Sequence, residues 1–92
     1  MHLRITNARF DPSRYDEVVR LAQEVSAAVS RLPGFQHYYG GLDRTAGTVA
    51  AVSVWETAEH ARFSRDALGD IMSRLQAAGV QLEPPQIYEI VT

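Results

Sequence analysis

Apolar and polar positions change their spacing several times along the chain, and each change marks an element. Residues 2–10, HLRITNARF, alternate loosely with a period of two and predict a strand. Leu3, Ile5 and Asn7 share one of its faces; Arg4, Thr6, Ala8 and Phe10 share the other. The residues DPS then punctuate the chain. Asp11 suits a helix N-cap, and Pro12 suits the first helical position, where its missing N–H costs nothing. From there Tyr15, Val18, Ala22, Val25, Val29 and Leu32 recur at steps of three and four, the stripe of an amphipathic helix. Pro33-Gly34 stops that helix at about Leu32.

Residues 35–44, FQHYYGGLDR, form an aromatic-rich strand pattern, with paired glycines at 40–41 that predict a bulge or bend. Thr45-Ala46-Gly47 is a short hairpin connection, and TVAAVSVWE, residues 48–56, is the strongest strand pattern in the chain. Thr57 then caps a second helix, with Glu59 in its first turn on the favourable side of the helix dipole. Ala61, Leu68, Met72 and Leu75 line its expected buried side, and Gly69 divides it. LEPPQ, residues 82–86, is extended because two prolines forbid helix, and QIYEIV, residues 86–91, is a final short strand. The order is βαββαβ over one domain, residues 1–92. It predicts an α+β, ferredoxin-like fold: a four-stranded antiparallel sheet with both helices on one face and the first and third strands at its centre.

The third predicted strand also speaks to assembly. Val49, Ala51, Ser53 and Trp55 point one way, Ala50, Val52 and Val54 the other, and neither face carries charge. A sheet with one wet face should show polar residues there. The expected second face instead collects Ala8, Phe10, Ala50, Val52, Val54, Tyr88 and Ile90, with Tyr38 from the second strand. Two helices cover only one face of a sheet, so a homodimer packed sheet against sheet is expected, which removes an apolar patch that monomers seldom leave exposed.

Composition narrows the function classes. A chain of 92 residues has a thin stability margin, which favours oligomerisation. All nine basic residues are arginines scattered along the chain, and the formal net charge is −2, so no basic block points to nucleic acid. There is no cysteine, which excludes disulfides, thiolate nucleophiles and thiolate metal sites. No secretory signal and no 18-residue apolar run is seen, so a soluble, cytoplasmic protein away from membranes is expected.

Residues 31–63, RLPGFQHYYGGLDRTAGTVAAVSVWETAEHARF, resemble the antibiotic biosynthesis monooxygenase superfamily. The shared pattern is Pro-Gly-Phe after the first helix, a hairpin, a strand ending in Trp, and a Ser or Thr cap opening a helix rich in Glu and Ala. The resemblance implies a dimeric α+β barrel with a pocket between the sheet and the helices of each subunit. No cofactor is expected. The superfamily mixes oxygenases, haem-degrading enzymes, other relatives and proteins of no known activity. Its haem-degrading members carry an Asn on the first strand, a Trp near the end of the third, and a His about ten residues on. Asn7 and Trp55 match the first two, but Arg65 stands in the third place, which argues against haem degradation. Its cofactor-free, quinone-forming members carry an Asn shortly before the Trp and a Tyr shortly after it; here Ala51 and Ala61 stand there.

Each candidate site residue has two readings. Trp55 either caps the sheet–helix core or forms a wall of a ligand pocket, and its indole N–H needs a partner if buried. Asn7, on the face of Leu3 and Ile5, is expected to point towards the helices, as a pocket group or a structural hydrogen-bonding one. His37 and Tyr39 are read on the same strand face as Phe35. If that face meets the helices, His37, Tyr39, Asn7, Ser53 and Trp55 converge, and small Ala51 and Ser53 leave room among them. His37 is then a candidate general base, against the alternative of an edge-strand histidine. His60 falls in the first turn of the second helix, where the dipole disfavours imidazolium; it is a candidate neutral base or a capping residue. The three histidines are far apart, with no carboxylate at ligand spacing, so no metal site is expected. Two functions follow: cofactor-independent oxygenation of a small aromatic or enolic molecule, or a non-catalytic role as a dimeric small-ligand-binding or stress-related protein.

Overall fold

In the computed structural model, which describes residues 1–92, the alternating N-terminal segment becomes β1 (His2–Arg9). The helical stripe becomes α1 (Tyr15–Val29), entered through a 3-10 turn at Pro12–Arg14. The hairpin pairs β2 (Phe35–Asp43) with β3 (Thr48–Trp55). Next come α2 (Ala58–Ala61), a 3-10 turn at Arg65–Leu68, α3 (Ile71–Ala77), β4 (Gln81–Leu82) and β5 (Gln86–Glu89). The sheet is antiparallel in the order β2-β3-β1-β4, so the first and third strands occupy its centre. The fourth lane is shared: β4 pairs with Ala8 and Arg9, and β5 pairs with His2 to Ile5. Pro84 and Pro85 cannot donate to a ladder and so divide that lane. Glu83 still gives its N–H to the Asn7 carbonyl at 2.9 Å. No helix is long and apolar enough to cross a membrane.

The caps act where the sequence puts them. Asp11 accepts the Ser13 N–H at 2.9 Å, and Thr57 Oγ1 accepts that of His60 at 3.1 Å. The second helical region is more broken than its apolar spacing suggests. It stops after one turn, restarts at the Ser64 cap, and turns at Gly69, whose positive φ of +65° with ψ −137° is open to glycine at little cost.

Two strand faces differ from the sequence expectation. Pairing of β1 with β3 places Arg4 opposite Ser53, Thr6 opposite Ala51 and Ala8 opposite Val49, all on the side of the helices. Asn7, opposite Ala50, therefore lies on the outer face with Leu3 and Ile5, while Ala8 and Phe10 enter the core. Both faces of β1 carry apolar groups, so its alternation did not decide which one turns inward. The second difference is a bulge between Phe35 and His37. It leaves Phe35 facing inward, edge-on to Trp55 with ring centroids 5.7 Å apart, and turns His37 and Tyr39 outward opposite Val54 and Val52. Tyr38 faces inward instead of joining the outer face. Gly40 and Gly41 pair regularly with Ala51 and Ala50, so the bulge sits four residues before the glycines expected to make it.

Only 14 of the 92 residues are buried. Eleven of them form two hydrophobic clusters against the helix-facing side of the sheet, of seven and four residues. One gathers Ala8, Phe10, Val18, Leu21 and Leu75. The other gathers Val29, Trp55, Ala61 and Leu68. The outer face is left with Leu3, Ile5, Val52, Val54, Tyr39 and Tyr88, of which Tyr39 is 70% exposed.

Candidate functional site: a cavity under the helices

Small side chains open a space between the two clusters. Ala8, Ala51 and Ser53 from the sheet and Ala22 from α1 surround a cavity of about 100 Å³, completed by larger groups including Val25, Leu68 and Met72. Of its 18 lining residues 14 are hydrophobic, and the four others are Arg4, Thr6, Ser53 and Arg65; no histidine or carboxylate is among them. Such a chamber excludes water from whatever enters and strengthens each polar contact inside.

Arg4 is the main polar feature of this wall. It is only 6% exposed, yet no carboxylate pairs with it; the ion pairs of the chain are Arg14–Glu17 and Arg74–Glu24. A buried cation without a counter-ion loses several kcal/mol of hydration. Three contacts offset part of that loss. Nη1 donates to the Ala61 carbonyl at 2.8 Å and the Phe63 carbonyl at 3.1 Å, and the guanidinium carbon lies 4.0 Å from the centre of the Phe63 ring. Burial first, and the charge of Arg65 second, hold the guanidinium below its ordinary pKa. Arg65 is anchored by Nη2 on the Glu83 carbonyl at 2.8 Å.

Behind the wall, Trp55 is fully buried and donates its indole N–H to Ser53 Oγ at 2.8 Å. It does not line the cavity; it fixes Ser53, which does. Tyr38 also faces the cavity, and burial raises its pKa, so it remains a neutral phenol.

The expected convergence of five groups therefore reduces to Ser53 in the wall and Trp55 behind it. Asn7, His37 and Tyr39 are on the opposite face of the sheet. His60 sits outside the cavity in the first turn of α2, with Nδ1 3.0 Å from Thr57 Oγ1. Its ring packs against Gly34, at φ +78°, where an added Cβ would lie 2.3 Å from the imidazole. The sequence pattern does not mark Arg4, Thr6, Tyr38 or Arg65 as site residues. The signal for Arg4 was an isolated charge between Leu3 and Ile5, a pattern that reads equally as a solvent-facing position.

No family model matches the chain, and no curated protein matches it significantly. Solved structures do match its fold. A Deinococcus radiodurans protein provisionally named an antibiotic biosynthesis monooxygenase superposes with a TM-score of 0.81 at 14% identity, over 100% of this chain and 94% of the other. HapK from Hahella chejuensis gives 0.78 at 15% identity, over 99% and 93% of the two chains. SnoaB from Streptomyces nogalater, a cofactor-independent oxygenase, gives 0.70 at 16% identity, over 99% and 93%. The architecture is thus the ferredoxin-like α+β fold of structures that carry the antibiotic biosynthesis monooxygenase name.

Proposed function

We propose that this chain, sharing its fold with those monooxygenases, is itself a monooxygenase-like protein. In this reading it oxygenates a small aromatic or enolic molecule, without a cofactor, in the cavity between sheet and helices. The carrying observation is the apolar chamber walled by a buried guanidinium that has no carboxylate partner. Cofactor-free oxygenation needs an electron-rich substrate anion. That anion passes one electron to O₂, the two radicals join in a C–O bond, and the peroxide loses water to leave a carbonyl. Both oxygen atoms and all oxidising equivalents come from O₂, so no reductant is required. The chamber holds no histidine or carboxylate to take the substrate proton. Arg4 serves instead by favouring the ionised substrate, whose proton leaves to solvent before entry, and by stabilising the anion once bound. Ser53, fixed by Trp55, is a positioning group in the wall. Asn7, His37, Tyr39 and His60 have no assigned role in this chamber.

The volume bears on substrate size. A cavity of roughly 150 Å³ accepts benzene; about 100 Å³ here suits a single small ring with a shift of the adaptable Met72 side chain. The test is oxygen consumption against a panel of monocyclic phenols, quinols and enols, with larger anthrones and haem for comparison. Wild type should consume O₂ with a monocyclic member. Ala51→Leu, which fills the chamber, should abolish that uptake. The second reading is a non-catalytic ligand-binding protein, favoured by the missing proton acceptor. Binding without oxygen uptake across the panel would select it.

The proposal includes a homodimer through the outer sheet face. Leu3, Ile5, Val52 and Val54 are half-buried there, flanked by exposed Tyr39 and Tyr88. A second copy supplies the self-complementary surface that would cover them. Asn7 and His37 share that face and would lie in or beside the interface.

A further inference from the structure

A second depression, of about 300 Å³, shares the Arg4 wall with the chamber. Arg4, Phe63 and Arg65 line both spaces, and Arg62 joins them at the outer one. Three arginines thus face one place, and none has a carboxylate within ion-pair distance. The hydrogen bonds of Arg4 sharpen the geometry. Its two bonds both leave from Nη1, while Nε and Nη2 make none. His2 Nδ1 is the one sealed side-chain nitrogen or oxygen without a partner, so neither Nε nor Nη2 of Arg4 is fully sealed. Those two atoms form the side-on edge of the guanidinium, which holds a planar carboxylate by two parallel bonds. Phe63 stacks on the guanidinium face, not on that edge.

We infer that Arg4, supported by Arg65, binds a carboxylate of the ligand, so that the site selects small monocyclic aromatic or enolic acids over their neutral counterparts. The ring occupies the apolar chamber, and the carboxylate reaches the shared wall, where it meets the positive charge that the protein leaves unpaired. This deepens the proposed function and rests on it in taking the chamber as the ligand site.

Binding is measured by calorimetry with benzoate and its neutral isostere benzamide, on wild type, Arg4→Met, Arg4→Lys and Arg65→Gln. Benzoate should bind wild type about tenfold or more tighter than benzamide. Arg4→Met and Arg65→Gln should weaken benzoate by about tenfold while leaving benzamide within about twofold, and Arg4→Lys should retain part of the preference. Equal affinities for the two probes, no binding of benzoate, or variants that lower both probes alike would overturn the inference. If Arg4→Met does not fold, the benzoate preference of wild type and its loss in Arg65→Gln decide. The two proposals fail separately. Charge-selective binding with no oxygen uptake by any phenol, quinol or enol, carboxylated or not, removes the oxygenase reading alone. Oxygen uptake by a neutral phenol without preference for benzoate removes this inference alone.

Discussion

Ser53 is a small residue on which two larger ones depend. It accepts the indole N–H of Trp55 at 2.8 Å and approaches the Arg4 carbonyl at 3.5 Å, a marginal distance for a hydrogen bond. Ser53→Ala therefore removes the partner of a donor that is sealed in the core. The expected loss is about 1–3 kcal/mol of unfolding free energy, measured by urea denaturation. Gly34 is constrained from the other side. At φ +78° and with His60 in the way, Gly34→Ala should cost at least about 1–3 kcal/mol by combining backbone strain with overpacking. Gly34→Ala in a His60→Ala background should recover the packing part only. At this scale the sequence was informative about packing and poor about direction. Trp55 was legible as a core plug because a strand ending in Trp has few other places to put the ring. Asn7 and His37 were misplaced because strand parity hangs on a single-residue choice, and a one-residue bulge at Gln36 reverses everything after it.

At the scale of elements, α1 and α3 are joined across the surface by Arg74 and Glu24, whose two hydrogen bonds measure 2.8 and 2.6 Å. The hydrogen bond from Arg74 is the main reason that the Glu24 carboxyl stays below its usual pKa, and backbone and hydroxyl bonds from Ser13 do the same for Asp11. A group whose pKa is lower when folded adds stability above its unfolded value and loses it as the pH falls through the folded one. Stability should thus decline on acidification below about pH 4. Glu24→Gln should flatten that decline, as read from chemical denaturation at several pH values. Gly69 tests the break between the helical pieces. Nothing lies within 4 Å of a Cβ built there, so Gly69→Ala should cost only its backbone strain, about 1–3 kcal/mol in thermal unfolding. The existence and order of the elements were legible because apolar spacing and caps act locally. The division of the second helix and the split fourth lane were only hinted at, by Gly69 and the two prolines, since where a chain restarts depends on what it packs against.

For the molecule as a whole, the sheet has two apolar faces and the helices serve one. Sedimentation should show a dimer at micromolar concentration, and Val52→Lys, in the middle of the outer face, should yield monomers without altering the cavity side. Ala51→Leu points the other way. Filling the chamber should raise stability by about 0.5–2 kcal/mol while excluding ligand, the pattern expected when a hole is kept for use. The homodimer expectation does not depend on how the faces of β1 are assigned, because Val52 and Val54 of the uncharged third strand lie outward in either assignment. The cationic wall was beyond reach, because the charged partners that would normally explain an arginine are distant in sequence and, here, absent.

Trp55 is the only tryptophan in the chain, and it is fully buried, with the Phe63 ring 5.0 Å away and Ser53 between it and the chamber. All indole emission from this protein therefore has one origin, shielded from solvent and two contacts from the arginine wall. Its spectrum should lie to the blue in the native state, shift red on unfolding, and change in intensity when a ring enters the chamber, giving an optical titration that needs no added dye.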